Sequence, residues 1–160
     1  MQYWRCEGIM SGENCSISDS SVSVFSSSSP EETEKIGALL ASSLRSCRAV
    51  LLYGDLGAGK TAFVRGLASV LAPAAHVCSP TYAVVNEYPT PSGEALRHWD
   101  MYRVESEDDL VSCGYFDRAR SGYDAIEWCE NIEDSLPDDA WRVTIEKIGD
   151  DCRKITIEKI

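Results

Sequence analysis

Apolar and polar positions follow two periods along this chain, and the switches between them mark its elements. Ser21–Phe25 (Ser-Val-Ser-Val-Phe) alternates with period two, which predicts a half-buried strand. Ser26–Ser29 is a serine run that reads, on composition alone, as a linker. Ser29-Pro30-Glu31-Glu32 has the form of a helix start, with Ser29 as cap, Pro30 at the first helical position and Glu32 completing a capping box. Ile36, Leu39, Leu40 and Leu44 fall on one face of that helix, which therefore faces the core. Ala49–Tyr53 is a short, continuous apolar run, the pattern of a strand covered on both faces. Glycine-rich Gly54–Thr61 follows, then a helical pattern over Ala62–Leu71 that Pro73 ends.

Tyr82–Tyr88 and Ala95–Trp99 predict two strands around the turn Pro89–Gly93. Ser106–Val111 predicts a short acidic helix, with Ser106 and Asp109 in capping-box spacing and Gly114 just past its end. Asp124–Trp128 predicts another strand, and Glu130–Ser135 a helical turn stopped by Pro137. Thr144-Ile145-Glu146-Lys147-Ile148 recurs as Thr156–Ile160 across Gly149-Asp150-Asp151, the pattern of a β-hairpin. Two copies are too few for a solenoid.

Composition narrows the class. The chain has 160 residues, is 44% hydrophobic and carries a net charge of −11, with an isoelectric point near 4.6. That length supports one core without metal or disulfide staples, and that charge disfavours a stand-alone nucleic-acid binder. The charge is uneven: −5 over Met1–Glu34, +3 over Lys35–Arg103, −10 over Val104–Asp139 and +1 over Ala140–Ile160. A mildly basic middle flanked by acid suits a phosphate site followed by a partner-facing acidic segment. The seven cysteines form no Cys-x-x-Cys and no zinc spacing with the two histidines, so they read as reduced thiols of a cytoplasmic protein. No apolar run is long enough for a bilayer, and the N-terminus has no signal-peptide core.

The chemistry centres on Gly54-Asp55-Leu56-Gly57-Ala58-Gly59-Lys60-Thr61, which matches the phosphate-loop pattern G-x-x-x-x-G-K-[ST] between a predicted strand and a predicted helix. Glycines let backbone wrap closely around phosphate, and successive N–H groups form an anion cradle at a helix N-terminus. Lys60 supplies a point charge to the outer phosphates, and the Thr61 hydroxyl can ligate magnesium. The fold class is then α/β, a phosphate-loop NTPase-like three-layer domain with a mixed, mainly parallel sheet and a C-terminal β-hairpin. It spans residues 22–160, and polar, aperiodic residues 1–21 read as a flexible N-terminal extension.

Phosphoryl transfer also needs carboxylates for the metal and the attacking water. Asp100 and Glu127 stand at predicted strand ends, where parallel strands would aim them at the phosphate loop. Ser79-Pro80-Thr81-Tyr82 occupies the place of a switch segment that senses a γ-phosphate, and equally suits a proline-fixed turn. The guanine-specifying Asn-Lys-x-Asp pattern is absent, since Asn14, Asn86 and Asn131 are followed by Cys, Glu and Ile, which favours adenine.

With His98-Trp99-Asp100-Met101-Tyr102-Arg103 and Ile126-Glu127-Trp128, four motifs stand in order, and together they resemble the TsaE family of bacterial tRNA threonylcarbamoyladenosine biosynthesis. The resemblance covers roughly Val22–Trp128 and, more loosely, the C-terminal strands. It implies a phosphate-loop fold, ATP and Mg2+, and slow hydrolysis that matters within a complex. The implied partners are TsaD and TsaB, which transfer threonylcarbamoyl to an adenosine beside the anticodon; the acidic charge of this chain leaves the grip on tRNA to them. By the same resemblance Leu56, Gly57, Ala58, Gly59 and Lys60 hold the phosphates, and Thr61 and Glu127 serve magnesium. Asp100 assists hydrolysis or the metal's outer shell, Thr81 belongs to the switch, Trp128 lies beside the site, and the region of Pro30 contacts nucleotide. Ala62 stands where the family commonly has a second threonine, and the Ser/Cys-rich start before Val22 has no counterpart in the resemblance. Two alternatives stay open: a small-molecule kinase with Arg118 and Arg120 as a short lid, and a nucleotide-dependent assembly module with incidental hydrolysis.

Overall fold

The structure, a computed structural model, describes residues 17, 22–44, 47–80, 83–117 and 122–160. Seven strands form one sheet: β1 (Ser23–Ser27), β2 (Ala49–Tyr53), β3 (Val85–Pro89), β4 (Ala95–Asp100), β5 (Tyr123–Glu127), β6 (Trp141–Lys147) and β7 (Arg153–Lys159). Their spatial order is β1-β7-β6-β2-β5-β4-β3. The four central strands, β6, β2, β5 and β4, run parallel, and antiparallel partners close both ends. The fold is a mixed α/β domain, as the alternation of apolar runs and helical patterns predicts. The C-terminal repeat forms the β6–β7 hairpin, with Thr144 opposite Thr156.

Strand β2 shows why its residues are all apolar. Val50 and Leu52 enter one cluster with helices α1 (Pro30–Ala41) and α2 (Lys60–Leu71), while Ala49 and Leu51 enter another with Trp99, Met101 and Leu110 of α3 (Glu107–Ser112). Both faces are covered, so neither can be polar. The three layers are thus α1 and α2, the sheet, and α3 with two 3₁₀ turns at Cys129–Asn131 and Glu133–Ser135. Helices α1 and α2 cross closely: a methyl on Gly66 would stand 2.0 Å from the Glu34 carbonyl oxygen, and one on Gly37 2.3 Å from that of Phe63. Any larger residue there would force the helices apart.

Several boundaries differ from the sequence expectation, each for a local reason. The serine run is no linker: Ser26 and Ser27 complete β1, and the Ser27 hydroxyl pairs with that of Thr33 at 2.8 Å. Ser29 caps α1, but Glu32 reaches one residue further back than a capping box requires, accepting from Ser28 N at 2.7 Å. Strand β3 starts at Val85 rather than Tyr82, because Val84 takes a left-handed φ of 61° that a strand cannot hold. Tyr82 itself lies outside the described residues, as do most of residues 1–21. Ile17, the described residue of that segment, is buried in the α1–α2 cluster, and its carbonyl accepts from Ser43 Oγ at 3.2 Å. Among the described residues, no helix is long and apolar enough to cross a membrane.

Candidate nucleotide site

Strand β2 ends at Tyr53, and the chain turns through Gly54–Gly59 into α2. Gly59 caps α2 at φ 115°, a conformation that leaves glycine the natural occupant. Lys60 begins the helix and folds back over the loop, donating from Nζ to the Gly54 carbonyl at 2.5 Å and the Asp55 carbonyl at 3.1 Å. Burial pulls its pKa down, while the charges of Glu127, Glu130, Asp100 and Asp55 oppose that shift. The outward carbonyls of the loop are held from the hairpin: Lys147 Nζ donates to Leu56 O at 2.7 Å, and Arg153 Nε to Ala58 O at 2.9 Å. The last two strands therefore brace the loop that the first third of the chain builds.

Parallel pairing of β4 and β5 sets Asp100 and Glu127 opposite each other as Cα partners at the C-terminal edge. Open α/β sheets bind ligands at this edge. Glu127 is buried at 4% exposure, and its Oε1 accepts from Thr61 Oγ1 at 3.0 Å and from His98 Nε2 at 2.8 Å. Asp100 accepts from Ser79 Oγ at 3.2 Å through Oδ2 and from Tyr102 N at 3.1 Å through Oδ1. Ser79 thus ties the proposed switch segment to β4. Trp128 takes a left-handed φ of 61°, which turns its ring over Lys60 Nζ, 4.0 Å from the ring centroid. Tyr102 packs against that ring at 4.8 Å.

These elements enclose a cleft of about 570 Å³, within the range of small-ligand sites. Its lining brings together Pro30, Leu56, Gly57, Ala58, Gly59, Lys60, Thr61, Asp100, Glu127 and Trp128, ten positions from four parts of the sequence. Thr81, Arg118 and Arg120 lie outside the described residues. The sequence pattern gives no site role to His98, Lys147, Arg153 or Thr33 and reads Ser29 as the cap of α1; Ser29 and Thr33 line the cleft beside Pro30. His98 stood within a motif that sequence reasoning singled out; nothing in the sequence pattern said that its ring reaches Glu127.

The donor set suits a hard divalent cation. Thr61 offers hydroxyl lone pairs while its O–H donates to Glu127, so a carboxylate stands behind it. Among the described residues no group of three His, Cys, Asp or Glu forms a metal cage. Magnesium at a phosphate site needs none, since it keeps waters and phosphate oxygens as ligands.

Residues 27–155 match the family described as threonylcarbamoyl adenosine biosynthesis protein TsaE. The chain belongs to the TsaE family. It is 39% identical over 132 residues to the tRNA threonylcarbamoyladenosine biosynthesis protein TsaE of Bacillus subtilis, covering 82% of each chain. The protein of the same name from Rickettsia felis is 34% identical over 128 residues, with 79% of this chain and 74% of that one covered. Among solved structures, the crystal structure of YdiB from Bacillus subtilis superposes with a TM-score of 0.65 at 32% identity, covering 86% of this chain and 84% of that one. The matched span of this TsaE-family chain begins at the last residue of β1 and ends inside β7, and it takes in the five strands between them and every described residue that lines the cleft.

Proposed function

We propose that this TsaE-family chain is a magnesium-dependent ATPase subunit of tRNA threonylcarbamoyladenosine biosynthesis. It works in the cytoplasm with TsaD and TsaB, which hold the tRNA, and its hydrolysis resets their complex. One observation carries this reading: Lys60, Thr61 and Glu127 converge in one cleft, with Thr61 bonded to Glu127, in a chain of this family.

In this reading the loop N–H groups and Lys60 bind the β- and γ-phosphates of ATP. Lys60 exchanges its bonds to the Gly54 and Asp55 carbonyls for phosphate oxygens, which offer full charge in place of dipoles. Thr61 and Glu127 would hold Mg2+, whose chemistry is to neutralise charge on the phosphates. Asp100, fixed through both oxygens by Ser79 and the Tyr102 amide, orients the attacking water. The water oxygen bonds to the γ-phosphorus, the bond to the bridging oxygen breaks, and ADP and phosphate leave. The ring pair of Trp128 and Tyr102 shields Lys60 from bulk water.

The test is Lys60→Ala in a mixture of the purified chain, TsaD, TsaB, ATP and tRNA. We expect ATP hydrolysis and repeated rounds of modification to fall at least about 100-fold, an effect of ~2.7 kcal/mol. Modification turnover equal to that of the unaltered chain overturns the proposal.

A further inference from the structure

His98 is fully buried on β4, two residues before Asp100, on the same face as its register partner Ala125 and the α1–α2 cluster. An apolar residue would fill that position at lower cost. The ring instead leaves Nδ1 without a hydrogen-bond partner among the described residues. Leaving a buried polar atom unpartnered is costly, so the imidazole is kept for something other than packing. Its other nitrogen is spent on Glu127. A carboxylate can only accept, so His98 Nε2 carries the proton and donates it to Oε1 at 2.8 Å. Thr61 donates to that same oxygen at 3.0 Å. The second oxygen, Oε2, accepts no hydrogen bond from any described residue.

We infer that His98 is a positioning residue for the metal: its Nε2–H locks one oxygen of Glu127 and so presents the other to a divalent cation bound beside nucleotide. Neither donor on the locked oxygen is a permanent cation such as arginine. An arginine in the place of His98 would neutralise the carboxylate and fill both oxygens. Groups that orient a metal-binding side chain typically change metal affinity by about 10–100-fold when removed. The inference rests on the reading of Glu127 as a metal ligand, and the experiment separates the two.

The measurement is Mn2+ binding by electron paramagnetic resonance, on the full chain with a non-hydrolysable ATP analogue. Analogue affinity in EDTA is measured in parallel, and folding is checked by circular dichroism. Two polar variants are compared. The amide of His98→Gln reaches the Nε2 position, whereas that of His98→Asn corresponds to Nδ1 and stops short of Glu127. We expect His98→Asn to weaken Mn2+ binding by about 10-fold or more, with analogue affinity in EDTA within roughly twofold of the unaltered chain. His98→Gln should stay within about threefold of the unaltered chain on both readouts. The inference is overturned if His98→Asn binds Mn2+ as the unaltered chain does, if both variants are equally weak, or if the loss is as large in EDTA. If the unaltered chain shows no Mn2+ binding beside the analogue, the reading of Glu127 has failed and the inference falls with it. That outcome is told apart from the others by needing no variant.

Discussion

Strand β5 carries a carboxylate near each end, and the two are treated differently. Asp124 accepts from Arg97 Nε at 2.6 Å and Nη2 at 2.9 Å, and from Trp99 Nε1 at 2.9 Å. A cation and an indole fill its oxygens, on the face that packs against α3. The Asp124 bond holds the Arg97 guanidinium pKa above its ordinary value. Glu127, three residues on and on the opposite face, is the more buried of the two, yet its close donors are the Thr61 hydroxyl and the His98 ring. Lys60 reaches it only through space. The first carboxylate is saturated and serves the fold. The second is oriented by uncharged or titratable donors and open on one oxygen, which is what a metal-binding group requires.

The widest gap should appear in stability. Asp124→Ala removes both of its bonds to Arg97, which is only 7% exposed, and should lower unfolding free energy by about 3 kcal/mol. Urea denaturation reads this, and nucleotide binding by the folded fraction should be unchanged. Glu127→Gln should do the reverse, with ATP turnover down about 100-fold, or ~2.7 kcal/mol, and stability within about 1 kcal/mol. A stability loss as large as that of Asp124→Ala would erase the distinction between the two ends.

A smaller effect tests what holds the loop opposite Glu127. Lys147→Met removes the donor to Leu56 O and should weaken nucleotide binding about fivefold, ~1 kcal/mol. Lys147→Arg should retain the bond, and isothermal titration compares the two. The smallest effect concerns Cys129, two residues past Glu127. Burial pushes its thiol up to about 12, and burial likewise raises that of Cys47. Because the thiolate is the reactive form, neither should be alkylated by iodoacetamide at pH 8, while exposed Cys78 and Cys152 should be. Mass spectrometry of the modified chain decides, and labelling of Cys129 would mean that the face behind Glu127 opens.

The sequence pattern made the sheet's centre plain, because β2 must be apolar on both sides and the loop after it has a fixed spacing. Asp100 and Glu127 were legible as strand-end carboxylates, and parallel register does set them opposite each other. What pattern could not supply was contact between distant parts of the chain. His98 sits 29 residues from Glu127, Lys147 91 from Leu56 and Arg153 95 from Ala58, and no local period encodes such pairings. Ser26 and Ser27 misled for a related reason. Serine is a poor strand former in isolation, and here the β7 ladder and the Thr33 hydroxyl supply the bonds that propensity does not.

The bracing of the phosphate loop by Lys147 and Arg153 also sets a time order. During synthesis Gly54–Thr61 emerges early, but its neighbour β6 and both of its braces come from residues 141–153. A growing chain therefore carries its phosphate loop long before it carries the strand and side chains that brace it. Ligand stabilises only the state that binds it, so ATP should stabilise the chain most once the closing hairpin is in place.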